Sequence, residues 1–280
     1  MKTTVNLLQD IKQSGIVVVS DLIKDFEAYK NKIADSVILF QDYDTGKYKT
    51  ISRKNTSRYF PEGRTRIRKK IYSRLGHFQD SAVMITLEYN PHKIGRIEAW
   101  SRFNTDTTLF IKSLNQYLRR KIGKGYKNIG YLRSVEQIPF YRENKGKLIL
   151  DDDNMPIPNK SGGYPHIHLV FPNKRFLISI VELERLWHYG MTQIKRYDNC
   201  NIVGYLVSYI SKMENWGVEA QALVWYMGKR LYSYSRRYTL PKYDIEKTTN
   251  NSYIGTLNKK KLNSCTYEPM KIDRRKIFIN

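Results

Sequence analysis

The stretch Tyr164-Pro165-His166-Ile167-His168-Leu169-Val170-Phe171 constrains the fold more than any other part of the chain. It reads as a β-strand, stopped by Pro172. Successive side chains of a strand point to opposite faces. His166 and His168 therefore share one face, and Ile167, Leu169 and Phe171 share the other, the side on which helices would pack. Two imidazoles about 7 Å apart at the backbone are close enough to converge on one divalent ion.

The segments around this strand have the periods of further strands and helices. SAVMITLEY, IGYLRSVEQIPF, TQIKRYD and KRLYSYSRRY read as strands. DTTLFIKSLNQYLRRKIG reads as an amphipathic helix with Leu109, Phe110, Leu114, Tyr117 and Leu118 on one side. FLISIVELERLWHYG reads as a helix stopped by Gly190, and NIVGYLVSYISKMENW and VEAQALVWYMG as two more. The order β-α-β-β-α-β-α predicts an α+β fold, an antiparallel sheet with helices packed on one face. Residues 142–163 form a polar excursion bearing Gly and Pro, with the character of a small hairpin.

The flanks have a different character. Residues 1–75 read as an N-terminal extension: a weak helix in VNLLQDIKQ, a short apolar strand, a helix with Ser20 as N-cap, and two strands around Asp44-Thr45-Gly46. Within it, Arg53, Lys54, Arg58, Arg64, Arg66, Arg68, Lys69, Lys70 and Arg74 face only Glu62, which predicts a basic arm or exposed helix. Residues 76–240 form the main domain, and 241–280 a basic, loosely packed tail carrying the runs Lys259-Lys260-Lys261 and Arg274-Arg275-Lys276.

Charge narrows the function. The 280 residues hold 49 Lys and Arg against 26 Asp and Glu, a net +23. Such an excess creates a strong positive potential, for which a polyanion, first of all nucleic acid, is the natural partner. The 22 tyrosines offer faces on which unpaired bases can stack. With 41% hydrophobic residues a packed core is available. No apolar run approaches the roughly 18 residues of a membrane span. The first residues, MKTTVNLLQDIKQSG, lack the apolar centre of a signal peptide. Cys200 and Cys265 form neither a metal-ligand spacing nor a disulfide framework. A cytoplasmic setting without membrane contact is expected.

A hard cation between the histidines needs an oxygen ligand as well. If the strand ending Ser134-Val135-Glu136-Gln137 pairs antiparallel with the histidine strand, Glu136 lies beside the imidazoles. Glu88 and Asp151-Asp152-Asp153 are further carboxylates to weigh, with the aspartates expected in solvent. In GYLVSYISK, helical spacing puts Tyr205, Tyr209 and Lys212 on one stripe. A phenol with a pKa of about 10 is a poor nucleophile at neutral pH. A nearby ammonium and a metal ion together would suit it to phosphodiester transesterification.

In order and spacing, MITLEY, PHIHLVF and GYLVSYISK resemble the three motifs of rolling-circle replication initiators of the HUH superfamily. Tyr-x3-Tyr-x2-Lys resembles the two-tyrosine members of single-stranded DNA phages and archaeal plasmids and viruses. LERLWHYG and GKRLYSYSRRY are also similar to archaeal plasmid initiators, and the resemblance spans roughly residues 80–240. It implies a ferredoxin- or RRM-like, five-stranded antiparallel sheet with both histidines on a central strand. It implies Mg²⁺ or Mn²⁺ held by His166, His168 and Glu136, with Tyr209 as nucleophile. Tyr205 would be a second nucleophile, and Lys212 would assist at the phosphate. Some two-tyrosine members carry lysine just before the second tyrosine, where this chain has Ser208.

The implied reaction nicks one strand of an origin, leaves a 5′-phosphotyrosine and a free 3′-hydroxyl, and later rejoins strands. Implied partners are single-stranded and origin DNA, with a host polymerase. No Gly-Lys-Ser/Thr nucleotide loop occurs, so duplex opening falls to a host helicase or to supercoiling. Residues 1–75 would bind duplex DNA or make the contacts of a homo-oligomer. Relaxases and single-strand transposases of the same superfamily share this chemistry. A non-catalytic DNA-binding protein with structural histidines is the alternative of another class.

Overall fold

The histidine segment forms the middle strand of a five-stranded antiparallel sheet. The structure is a computed structural model that describes residues 19–42, 44–75, 81–144, 147–172, 178–198, 204, 208–209, 213, 216–235, 251–258 and 268–269. Tyr205, Lys212, Cys200, Cys265, the segment VNLLQDIKQ and both C-terminal basic runs lie outside the described residues. The chain divides into two compact units, Leu75–Tyr238 and a second made of Met1–Arg74 with Thr239–Asn280.

In the first unit the elements run β3 (Ala82–Glu88), α3 (Arg96–Ile122), β4 (Leu132–Gln137), β5 (Glu143–Asn144), β6 (Lys147–Leu148), β7 (Pro165–Pro172), α4 (Ile180–Leu186), β8 (Thr192–Tyr197), α5 (Val218–Tyr226) and β9 (Tyr232–Tyr234). The sheet order is β8-β3-β7-β4-β9, every pairing antiparallel. The fold is α+β, as the order of sequence periods implies.

One face of this sheet is apolar. Ile85, Leu87, Ile167, Leu169 and Phe171 are each 0% exposed, and Val83 and Val135 nearly so. Helix α3 covers this face: the Arg133 guanidinium, which shares it, lies 5.5 Å over the Phe103 ring. Burying one such Leu or Phe side chain contributes about 1.5–3 kcal/mol, so this seam contributes substantially to stability.

The helix itself departs from expectation. It starts about ten residues before the expected segment, and it buries Ala99, Trp100, Phe103, Thr107, Phe110, Ile111, Leu114 and Leu118. Leu109, assigned to the apolar stripe, is instead 49% exposed. The longer helix fixes its rotation through Trp100 and Phe103, and at 3.6 residues per turn Ile111 then faces inward and Leu109 outward.

Helices packed on one face alone would leave the other face open, and this is corrected by the burial of the central strands. On the histidine side Met84, Thr86, Leu132, Ser134, His168 and Val170 are all at most 5% exposed. A central strand covered on both sides reads as a nearly continuous apolar run, and Leu169-Val170-Phe171 is such a run.

Helix α4, by contrast, is shorter than expected. Its N-cap Ser179 accepts a hydrogen bond from the Glu182 N–H, and it ends at Leu186. Gly190 therefore does not stop a helix. It packs against the end of β3, where an added Cβ would stand 2.2 Å from the Glu88 carbonyl oxygen. The excursion between β4 and β7 contains the β5–β6 hairpin. Its Asp151–Asp153 turn is exposed, with Asp151 Oδ1 accepting from the N–H groups of Asp153 and Met155.

The elements of the second unit are α1 (Val19–Ala34), β1 (Ser36–Asp42), β2 (Tyr48–Ser52), α2 (Pro61–Leu75), β10 (Asn251–Asn258) and β11 (Glu268–Pro269). Its four strands form a sheet in the order β10-β1-β2-β11. The β1–β2 hairpin turns through Gly46 at φ +67°, while Asp42 Oδ1 accepts from the backbone of Asp44 and Thr45.

Three expectations change here. Ser20 lies inside the first turn of α1 and is not its N-cap. Residues 251–258, expected in a loose tail, form a strand paired with β1. Arg64, counted in the basic arm, is 5% exposed, because α2 turns Arg64 and Ile71 inward. No helix among the described residues is long and apolar enough to cross a membrane.

Candidate metal centre

Strand register assembles the site. Glu136 of β4 and Glu88 of β3 both lie opposite His166, while Ser134 and Thr86 lie opposite His168. Directly opposed residues in a sheet bring their Cβ atoms to about 4.5–5.5 Å. The histidine face therefore carries one row of Glu88, His166 and Glu136. Beside it runs a second row of Gln193, Thr86, His168, Ser134 and Tyr232.

The donor atoms converge. Glu136 Oε1 lies 3.1 Å from His168 Nε2 and 3.3 Å from His166 Nδ1. Glu136, His166 and His168 each offer a ligand atom within 4.8 Å of the others, a group compatible with a divalent metal. The imidazole rings are 4.4 Å apart between centroids. His168 Nδ1 sits 3.2 Å from Thr86 Oγ1. His166 Nε2 lies 3.1 Å from Glu88 Oε1, close but not aligned as a hydrogen bond. Burial deepens along the face: His166 and Glu88 side chains keep 22% and 23% exposure, Glu136 12% and His168 3%. Solvent thus reaches the cluster at the His166–Glu88 end.

Electrostatics favour a positive charge at this place. Burial alone would push the His166 pKa down, but the Glu136 and Glu88 carboxylates outweigh it and raise it to about 9. Two imidazoles and a carboxylate are a donor set suited to first-row and other hard-to-borderline divalent ions. A cation bound there would take the place of the His166 proton, as metal binding to imidazole generally does. The residues fit a divalent ion on this chemistry.

The tyrosine segment reaches the same place. Ser208 and Tyr209 have helical backbone, and the Tyr209 ring stacks on His168 with centroids 4.4 Å apart and planes at 15°. Tyr209 is 5% exposed. Of the residues singled out from sequence, the structure brings together His166, His168, Glu136, Glu88 and Tyr209. Asp151, Asp152 and Asp153 lie apart from this cluster, in the exposed turn. Sequence reasoning gave no role to Thr86, and it weighed Glu88 below Glu136. The signal for both was the alternation in Met84-Ile85-Thr86-Leu87-Glu88, which puts Thr86 and Glu88 on one face.

A separate groove of about 590 Å³, lined by Lys112, Asn115, Arg119, Asn128 and Tyr131 among others, shares no residue with this cluster. Comparison of the chain with protein-family models, with curated proteins and with solved structures found no match.

Proposed function

We propose that this protein is a metal-dependent DNA strand-nicking and strand-joining enzyme of the HUH type, acting as a rolling-circle replication initiator. The observation that carries the reading is the Tyr209 ring stacked on His168, one member of the Glu136, His166 and His168 group. A five-stranded antiparallel sheet with both histidines on its middle strand supports it, as does the +23 charge.

His166, His168 and Glu136 would hold Mg²⁺ or Mn²⁺, which when bound polarises the scissile phosphate and offsets charge developing on its oxygens. Tyr209 supplies the nucleophile. Its hydroxyl oxygen bonds to phosphorus, the bond from phosphorus to the 3′ oxygen breaks, and the phenol proton is balanced by the proton gained at the departing 3′-hydroxyl. The DNA is left joined through a 5′-phosphotyrosine, so the bond energy is retained for rejoining. The free 3′ end is then a primer for a host polymerase. Lys212 would assist at the phosphate, and Tyr205 would serve the second transfer that closes a circle. The DNA strand enters from the His166–Glu88 side, where the cluster meets solvent.

The test is a covalent adduct. The full chain is incubated with Mn²⁺ and supercoiled origin DNA, denatured, and examined for protein that remains attached to DNA. Wild type is expected to form the adduct, and Tyr209→Phe to lose it. His168→Ala is expected to lose it too. An adduct that persists in Tyr209→Phe overturns Tyr209 as nucleophile and moves the role to Tyr205. Salt-sensitive DNA binding with no adduct would favour the non-catalytic reading.

A further inference from the structure

An imidazole that binds a metal through one nitrogen usually donates its other ring N–H to an oxygen, which fixes the tautomer and raises ligand basicity. Both histidines have an oxygen from the same neighbouring strand beside the second ring nitrogen, hydrogen-bonded at His168 and in ion-pair range at His166. His168 turns Nε2 toward Glu136 and Nδ1 toward Thr86 Oγ1. His166 turns Nδ1 toward Glu136 and Nε2 toward Glu88 Oε1. The oxygen on the converging side comes from β4 in both cases, and the oxygen on the far side comes from β3 in both cases. Strand order produces this division, because β7 lies between β3 and β4 and every histidine-face residue of β7 has one neighbour from each.

Glu88 is also held in place more firmly than a strand-end carboxylate needs to be. Its N–H donates to the Met191 carbonyl, and its own carbonyl accepts the Trp187 indole N–H at 2.9 Å. Gly190 presses on the same carbonyl, at a distance that only a residue without Cβ permits. The chain just after α4 thus clamps the backbone of Glu88 beside His166.

On the reading that Glu136, His166 and His168 hold a divalent cation, we propose that Thr86 and Glu88 are positioning residues that select opposite ring nitrogens as donors, Nε2 of His168 and Nδ1 of His166. Glu88 is not a ligand in this scheme. Its carboxylate meets the His166 nitrogen that faces away from Glu136, and the converging donor group is complete without it. Its contact is an ion pair at 3.1 Å, not an aligned hydrogen bond. Thr86 is neutral and sets orientation alone.

The test uses the full chain labelled with ¹⁵N in its histidine rings, with Zn²⁺ as a diamagnetic probe read by long-range proton–nitrogen correlation. His166 is expected to bind Zn²⁺ through Nδ1 with its proton on Nε2, and His168 the reverse. Coordination of both rings through Nε2 overturns the proposal. In parallel, Mn²⁺ affinity is measured by calorimetry. Glu88→Ala is expected to weaken it by about 10–100-fold, the range for loss of an outer-shell partner. Glu88→Gln keeps an acceptor oxygen and is expected to recover most of the loss. Unchanged Mn²⁺ affinity in Glu88→Ala overturns the positioning role while leaving the cation site standing. A wild-type chain that binds neither Zn²⁺ nor Mn²⁺ overturns both.

Discussion

The two faces of the five-stranded sheet are made by the same strands and do opposite things. On one face, Ile167, Leu169 and Phe171 of β7 meet Ile85, Leu87 and Val135, sealed by α3. On the other, His166 and His168 meet two carboxylates, two hydroxyl-bearing side chains and the Tyr209 ring. Both faces are buried around His168, so exposure does not separate them. The difference lies in polar satisfaction. The first face asks nothing but apolar contact. The second needs oxygens beside its imidazoles, as His168 has in Thr86 and Glu136, because burying an unpaired polar group costs about 1–3 kcal/mol in proteins. Ser134 Oγ and His166 Nε2, both without a hydrogen-bond partner among the described residues, show the balance to be incomplete on that side. A single strand can therefore carry stability and chemistry at once, each at alternate residues.

Substitutions one residue apart should separate these roles. The largest stability effect is expected on the apolar face. Leu169→Ala should destabilise by about 2–5 kcal/mol, the range for emptying a buried leucine site, as measured by chemical denaturation. A loss under about 1 kcal/mol would mean that this face is not the core.

The neighbouring His168→Ala should give the reverse pattern. It removes a central donor and should abolish Mn²⁺ binding by calorimetry. The loss of stability should be smaller, about 1–3 kcal/mol from the contacts to Thr86 and Glu136. If it unfolds the chain as readily as Leu169→Ala, the distinction between the faces fails.

The smallest effect is a pH dependence on the α3 side. The Tyr89 phenol is buried and donates to Asp106 Oδ2 at 2.9 Å. Burial, with the Asp106 charge beside it, raises its pKa above the ordinary value. The folded state therefore keeps a proton that the unfolded chain releases above about pH 10. Its stabilising contribution is fully present below that pH and is lost as pH rises through the raised value. Tyr89→Phe removes one donor from the buried Asp106 carboxylate, which Arg102 still contacts; it should cost about 1–3 kcal/mol at pH 7, and should flatten the alkaline fall relative to wild type. An identical alkaline limb in both proteins would show that Tyr89 does not hold this proton.

Legibility followed the range of the interactions. Strand and helix periods are local, so the five strands, the excursion hairpin and the pairing of His166 with His168 on one face were readable. Amphipathic rotation was less so: Leu109 and Ile111 are both apolar, and only Trp100 and Phe103, well before the expected start, decide which one faces in. Gly190 after an apolar run looks like a helix stop, yet its lack of a side chain serves a contact with a strand a hundred residues away.

By itself the amino-acid order determined which side chains share a face of each strand, because a pleat repeats every two residues. It also determined that the chain carries an excess of positive charge. It did not determine which carboxylate meets which imidazole. That was decided by the register between strands, which joins Glu136 and His168 across 32 positions and Thr86 and His168 across 82. A shift of one residue would turn every partner to the wrong side. No local preference sets such a register; it follows from the packing of the whole sheet, and that is why Glu88, weighed from sequence below Glu136, is matched to His166, and Thr86 to His168, only in three dimensions.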